Sequence, residues 1–475
     1  MATTREQAEA YAYEQRRRTT SLFRGTDEAG RDPRRRLNRA LGGGLALGIL
    51  IMAGFGIAGW LGGGRGPDLP EEGAVVAGGS GDRYVVADGV VHPALNLASA
   101  LLVGGGRLTE VRQSVLDDAP RGLPVGIPGA PDALPEADDL LTGAWTLCAT
   151  PSETGGAPTE TALYLSVPGV APPEDEAGAS VLVREPDGGL WLLTQGRRYA
   201  LEPAVAELLG LQRARPVDLP PEVLATVPEA PALALPDAGG EGNQEGEGAG
   251  DEGAEVTGLG FPARVGDLAH TGTDGPNPRY YLVRSDGLVA VTPLVYALLT
   301  AEAGEDHALD ATQAARAPHS AGTPPGDPAW PAAPPRVHDP DRDQPVCVST
   351  RPGGHPGDAP WRATVHLPAT MPEPAEVTAV RSAGGQRLGL LDAVYVPAGR
   401  GALVRATASA GTGGTDTLVT DSGMAYPIAS AEAVQRLGYD PREAPAMPRA
   451  FVGLLPAGPV LDPDAAAREL AGVER

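Results

Sequence analysis

The chain runs to 475 residues, 37 of them basic and 61 acidic, for a net charge of −24 at pH 7. All 37 basic residues are arginine, which excludes chemistry that needs a lysine ammonium: a phosphate-loop lysine, a Schiff base or a Ser–Lys dyad. With 65 Gly and 49 Pro, about a quarter of the chain, and only 4% aromatics, any core must come from Val, Leu, Ala and Ile, and the length allows two to four domains.

At the N-terminus, Thr4 with Gln7, or Thr3 with Glu6, fits a capping box opening a helix of about twenty residues that ends near Phe23. Residues 1–39 hold ten Arg against six acids, a net +4. Residues Ala40 to Leu61 then contain no charge, Pro, Asn or Gln. As a helix these 22 residues reach about 33 Å, enough for a hydrocarbon layer of about 30 Å, and they lack the polar stripe of a core helix. A cleaved signal peptide fits less well, because the preceding region is long and GGGRGPDLP offers no A-x-A site. The segment reads as an uncleaved anchor. Positive-inside asymmetry places residues 1–39 in the cytoplasm and 62–475 outside, the exterior carrying −28. So acidic a body repels nucleic acid and anionic lipid surfaces and points to proteins or cations as partners. Arg16-Arg17-Arg18 is either a topology signal or a contact for lipid headgroups or an acidic partner face. Gly44-x-x-x-Gly48 would let two membrane helices approach, a weak motif in a chain this rich in glycine.

The two cysteines, Cys148 and Cys347, both fall in the exterior region, where an even count favours one disulfide over two free thiols. Closing 199 residues would stabilise by roughly 5 kcal/mol in the chain-entropy model, before native strain is subtracted. No CxxC or Cys/His cluster suggests a metal or redox site.

A unit of about 22 residues recurs at 83–103, 190–211, 279–300 and 416–439. Each has an apolar run, a turn at Gly89, Gly196, Gly287 or Gly423, a second short run, then Pro93, Pro203, Pro293 or Pro427 before a Leu- or Ala-rich stretch. The glycines suit tight hairpin turns, and the prolines suit a strand end and a helix start, so the unit predicts strand–turn–strand–helix. Gaps of 107, 91 and 136 residues between the turn glycines exclude an even solenoid. The expected architecture is α+β, with four small modules around a central β-rich domain built from segments near 140–180 and 345–410. In it Cys148 and Cys347 pin two strands, and a further strand is expected at Arg362 to Leu367. Residues 236–255 are acidic, Gly-rich and without a large apolar side chain, and read as a disordered linker; they lack EF-hand spacing.

Several stretches together resemble one family: MATTREQAEAY, the arginine-rich junction before the anchor, GAVVAGGSGDRYVVADGVVHPALNLASALL, PRGLPVGIPGAPDALP, WTLC and LLPAGPVLDP. The chain is similar over most of its length to EccB, the single-pass membrane subunit of actinobacterial type VII (ESX) secretion systems. The acidic loop and the Pro-rich run 316–345 lie outside the resemblance. It implies a structural subunit in the plasma membrane, with an elongated extracytoplasmic body, the family disulfide at Cys148 and Cys347, and self-association as a dimer or higher oligomer. The implied partners are EccC (the motor ATPase), EccD, EccE and the protease MycP, and the repeat modules resemble phage cell-wall-binding modules.

The family is often labelled an ATPase. Here no G-x-x-x-x-G-K-[ST] loop exists, and Gly62-Gly63-Gly64 and Gly104-Gly105-Gly106 read as flexible turns. Of the seven His (92, 270, 307, 319, 338, 355, 366), His92 occupies a repeat position held elsewhere by Glu202, Thr292 and Tyr426, which argues against a ligand role. His338 and Asp339 sit in a Pro-rich linker that would organise a site poorly. No G-x-S-x-G or HExxH occurs. The expectation is no catalytic, metal or cofactor-binding residue. The competing readings are a peptidoglycan-gripping anchored module and a membrane-tethered nucleotide hydrolase.

Overall fold

The computed structural model describes residues 3–24, 33–62, 69–152, 158–173, 178–236, 253–272, 278–301, 303–353, 361–381, 390–408 and 413–470. The chain divides into two units, Met1–Pro70 with Glu110–Asp118, and Glu71–Thr109 with Ala119–Arg475.

In the first unit a helix spans Thr4–Arg24. The Thr3 N–H donates to the Glu6 carboxylate at 2.8 Å, so of the two capping alternatives the chain uses Thr3 with Glu6. A second helix covers Pro33–Gly62, and its window Asn38–Ile57 is long and apolar enough to cross a membrane. None of that window is buried, and Leu45, Leu50, Met52 and Phe55 stand exposed. A core helix would hide these side chains against protein; here they call for a hydrocarbon solvent.

The second unit is organised by a six-stranded central sheet in the order 364–366, 346–350, 145–150, 160–165, 393–395, 379–380. All neighbours are antiparallel except Ala393–Tyr395, which runs parallel to Glu160–Leu165. The alternation of strand side chains decides its two faces. Trp145, Leu147, Leu163, Leu165, Val346 and Val348 enter one core with Val181, Val183 and Leu193 of a second sheet and Val404, Val419 and Phe451 of the last. The intervening Cys148, Ala162, Tyr164 and Cys347 point the other way, into a smaller core with Val377 and Tyr395. Strand Ala402–Thr407, expected in the central domain, instead pairs with Gly414–Val419 in the last sheet, because its register runs on through all six residues of that neighbour.

Four flanking sheets share one path. Each opens with an antiparallel meander: 73–78, 83–87 and 90–93; 180–184, 190–194 and 197–201; 268–271, 279–284 and 287–291; 402–407, 414–419 and 425–427. A helix follows, at Leu97–Gly104, Pro203–Leu208, Pro293–Leu299 and Ala431–Arg436. In the last three a short strand then returns parallel to the first of the meander, at Val217–Asp218, Asp306–Leu309 and Ala446–Pro448. Finally, in all four, a segment lies parallel to the third strand: Val125 by Ala94, Glu229–Leu233 along Arg198–Leu201, His319 by Leu288, and Leu461 by Ile428. Each expected strand–turn–strand–helix stretch thus lies in the middle of a longer path, which begins a strand earlier and ends on a segment parallel to the third strand.

The turns differ in detail from expectation. Asp88–Gly89 and Gln195–Gly196 both carry positive φ at both positions (52° and 74°; 51° and 74°), the geometry of a two-residue hairpin loop matched to strand twist. Gly287 does not turn: Arg284 pairs with Gly287, so Ser285–Asp286 make the loop. Pro203 and Pro293 occupy the first helical turn, whereas Pro93 and Pro427 end strands and leave capping to Asn96 and Ser430, whose side chains accept from Ser99 N and Ala433 N.

The flanking sheets pack in pairs. Ala98 and Leu102 of the first share a core with Leu418, Val434 and Leu437 of the last. Leu294 and Leu298 of the third share one with Leu192, Tyr199 and Val205 of the second. The linker expected at 236–255 falls mostly outside the described residues. Its end is ordered: Val265 N donates to Ala254 O, and Glu255 bridges Arg264.

Candidate functional site

Cys148 and Cys347 lie opposite each other in the register of strands 145–150 and 346–350, with Cα atoms 4.1 Å apart, and form a disulfide. It is fully buried on the minor face of the central sheet, beside the stacked rings of Tyr164 and Tyr395 at 4.6 Å. Tyr164 Oη donates to Pro372 O at 2.7 Å, and burial first, with the Tyr395 hydroxyl nearby, pushes its pKa well above the phenol range. This corner is a buried structural knot.

A cavity of about 660 Å³ opens between the first and last sheets, lined among others by Glu72, Gly104, Gly105, Glu432, Gln435 and Arg436. Two helices end there. Gly105, in the left-handed conformation with φ 80°, closes Leu97–Gly104 by donating its N–H to Leu101 O. Gly104 has Ala74 where a Cβ would go. Arg436 Nη1 caps the same helix by donating to Leu102 O at 2.8 Å, while Nη2 holds Glu432 at 2.7 Å. Helix C-termini present carbonyl oxygens and negative partial charge. The run Gly104-Gly105-Gly106 therefore has the wrong polarity to cradle phosphates, which seek N–H groups at a helix N-terminus. Gly63 and Gly64 lie outside the described residues.

A titratable cluster that the sequence does not single out lies in the third sheet. Asp267, itself buried, accepts from Arg264 N at 2.7 Å and Glu305 N at 2.9 Å and pairs with His307 Nε2 at 3.0 Å. Burial raises its pKa, but the bonds from His307 and the two backbone N–H groups outweigh that and leave it lowered. His270 Nδ1 meets Asp306 Oδ1 at 3.0 Å and Tyr296 Oη at 3.2 Å. Two His–Asp pairs thus cross the parallel strands 268–271 and 306–309. A sequence signal existed only in the short spacing Asp267…His270 and Asp306-His307, whose meaning depends on a parallel register that local pattern does not reveal.

The remaining histidines scatter. His92 Nδ1 bonds Leu123 O at 2.9 Å, His319 packs at 6.1 Å from the Tyr281 ring, and His366 lies in the edge strand Thr364–His366. His338 and Asp339 are better organised than expected: Val337–His338 pairs parallel to Ser180–Val181, and Asp339 Oδ1 accepts from Arg215 N at 3.2 Å. Among the described residues no three His, Cys, Asp or Glu side chains converge as a cation site, and His355 lies outside them.

One exposed apolar helix of membrane-crossing length, joined to a chain whose mass lies in small α+β sheets around a disulfide-stapled sheet, defines the class: a multi-sheet α+β protein with one candidate membrane-spanning helix. More narrowly, the chain belongs to the EccB family of type VII secretion systems. The family described as "Type VII secretion system ESX-1, transport TM domain B" matches residues 1–474. Among similar proteins, the "ESX-3 secretion system ATPase EccB3" of Mycolicibacterium smegmatis (strain ATCC 700084 / mc(2)155) is 30% identical over 83% of this chain and 77% of its own length. The "ESX-1 secretion system ATPase EccB1" of Mycolicibacterium smegmatis (strain MKD8) is 26% identical over 98% of this chain and 94% of its own. Among solved structures, a chain of an intact ESX-5 inner membrane complex aligns with a TM-score of 0.62 at 26% identity, covering 100% of this chain and 97% of that one. A chain of the EccB3 dimer from the ESX-3 core complex aligns with a TM-score of 0.63 at 26% identity, over 84% and 100%.

Proposed function

We propose that this chain is a structural subunit of an ESX-type inner membrane complex, building the assembly outside the membrane and supporting protein export without hydrolysing nucleotide. The observation that carries the reading is the agreement, over the whole of this chain, with a chain of the ESX-5 inner membrane complex. The arginine surplus before the anchor supports a cytoplasmic N-terminus and an extracytoplasmic body. The shared path of the four flanking sheets supports their reading as copies of one repeat module, and the likeness to an EccB3 dimer supports self-association.

Although the names of the relatives include "ATPase", the chain's lack of lysine and the helix C-termini at the 660 Å³ cavity argue against a phosphate site. A motor partner such as EccC would then supply hydrolysis, with EccD, EccE and MycP as further partners. The test is affinity isolation of the tagged full chain from its native membranes. EccC, EccD and EccE should come with it, and nucleotide turnover should vanish when EccC is stripped away. Recovery of the chain alone on peptidoglycan would favour the anchored wall-binding module, and turnover surviving EccC removal would favour the hydrolase.

A further inference from the structure

Two proline-rich segments run along the two seams between paired sheets, and they do so alike. After the third sheet, His319 bridges Leu288, and the segment then crosses to the second sheet. Trp330 sits on the seam itself, packing against the core around Leu294 and Tyr199 and also against the core around Val295 and Leu299. Its Nε1 donates to Ala232 O at 3.1 Å, Tyr199 Oη donates to Ala329 O at 3.0 Å, and Leu294 N donates to Ala332 O at 3.3 Å. Farther on, Val337 pairs with Ser180, and the chain re-enters the central sheet at Val346.

The first seam is crossed in the same manner after the first sheet. Asn96 Nδ2 donates to Ile127 O at 2.8 Å and Ser99 Oγ accepts from Ile127 N at 2.9 Å, which holds the segment on the first helix. A tyrosine of the partner sheet, Tyr439, donates its hydroxyl to Pro135 O at 2.7 Å. In both places an extended segment is read through its backbone carbonyls by a tyrosine of the opposite sheet. Proline pre-sets such a segment in an extended form and lowers the entropy lost on docking.

We propose that the seam between the second and third sheets is a recognition groove for a proline-rich, tryptophan-bearing extended peptide, filled in this chain by its own residues 320–337, and that this internal ligand fixes the angle between the two sheets. The groove is bipartite, with donors and acceptors from both sheets, so a filled groove couples them and an empty one leaves the helix contact of Leu294 and Leu298 as a hinge. Trp330 is the anchor because it touches both cores.

The test uses the full chain in nanodiscs with spin labels at the exposed positions Glu222→Cys and Thr312→Cys, one on each sheet; the native cysteines, joined as a disulfide, do not label. Pulsed dipolar spectroscopy should give one narrow distance distribution. With Trp330→Ala that distribution should about double in width, the default for domains without a large joint interface. A synthetic peptide of residues 320–337 should narrow it again, and the same peptide with alanine at the tryptophan position should not. Should Trp330→Ala fail to fold, a chain with protease sites at the exposed residues 321–324 and 341–343, cut after folding and washed free of the strap, should broaden likewise, and excess peptide of residues 320–337 should narrow it again. An unchanged distribution in the variant, or broadening that the native peptide does not reverse, overturns the proposal.

Discussion

Replacing Cys148 and Cys347 together by alanine removes one covalent link and leaves two small apolar side chains on a buried face. The loop it closes spans 199 residues, for which chain entropy gives about 5 kcal/mol against full unfolding. The second and third sheets lie inside that loop. If they stay folded while the central sheet opens, they already hold their own ends, and only roughly forty residues of connector remain to be closed, for about 4 kcal/mol. The variant should therefore lose slightly less against opening of the central sheet than against complete unfolding. For a body of this size the full loss lowers the melting temperature by about 5 °C in a cooperative transition. Differential scanning calorimetry of the detergent-solubilised chain, oxidised, reduced and doubly substituted, measures it. A doubly substituted chain that melts within about one degree of the oxidised one would refute the reasoning.

Three further outcomes are expected. Asp267→Asn should destabilise by about 1–3 kcal/mol, because one of the two buried carboxylate oxygens that accept these bonds becomes an NH2 that cannot accept, seen in urea unfolding. Because folding lowers the Asp267 pKa, its contribution is present above the ordinary carboxyl range and disappears as pH falls through the lower folded value; the wild-type chain should lose stability on that acid limb and the variant should show a flatter one. Gly104→Ala should cost about 1–3 kcal/mol by forcing a methyl onto Ala74, and thermal melts should show it whether or not nucleotide is present. Arg436→Ala should loosen the first sheet from the last by about 1–2 kcal/mol, read as faster hydrogen exchange in Leu97–Gly104.

What the sequence made legible follows from the range of each signal. The apolar run needed only composition, and the hairpins at Asp88–Gly89 and Gln195–Gly196 only a local turn code. Gly287 misled because the turn residues are the Ser285–Asp286 pair before it. The first strands lack alternation, as in GAVVAG, and the returning strands are two to four residues long, below what periodicity can register. Their clue was positional: a short apolar piece directly before a brief helix, as in VDLPPEVL and HALDATQAA. The proline-rich segments read as linkers, since composition reports conformation and says nothing of what the segment lies against. The His–Asp pairs of the third sheet depend on a parallel register, a tertiary fact.

The pairing of the first sheet with the last makes synthesis order matter. The helix Leu97–Gly104 emerges early, yet Val434 and Leu437, which cover it, belong to the final eighth of the chain. Until that tail is made, the nascent N-terminal portion carries an uncovered greasy ridge that a chaperone or the lipid surface has to shelter. A premature stop between the central sheet and Val434 would leave the earliest-made sheet without a lid, so that damage at one end of the gene surfaces as misfolding at the other.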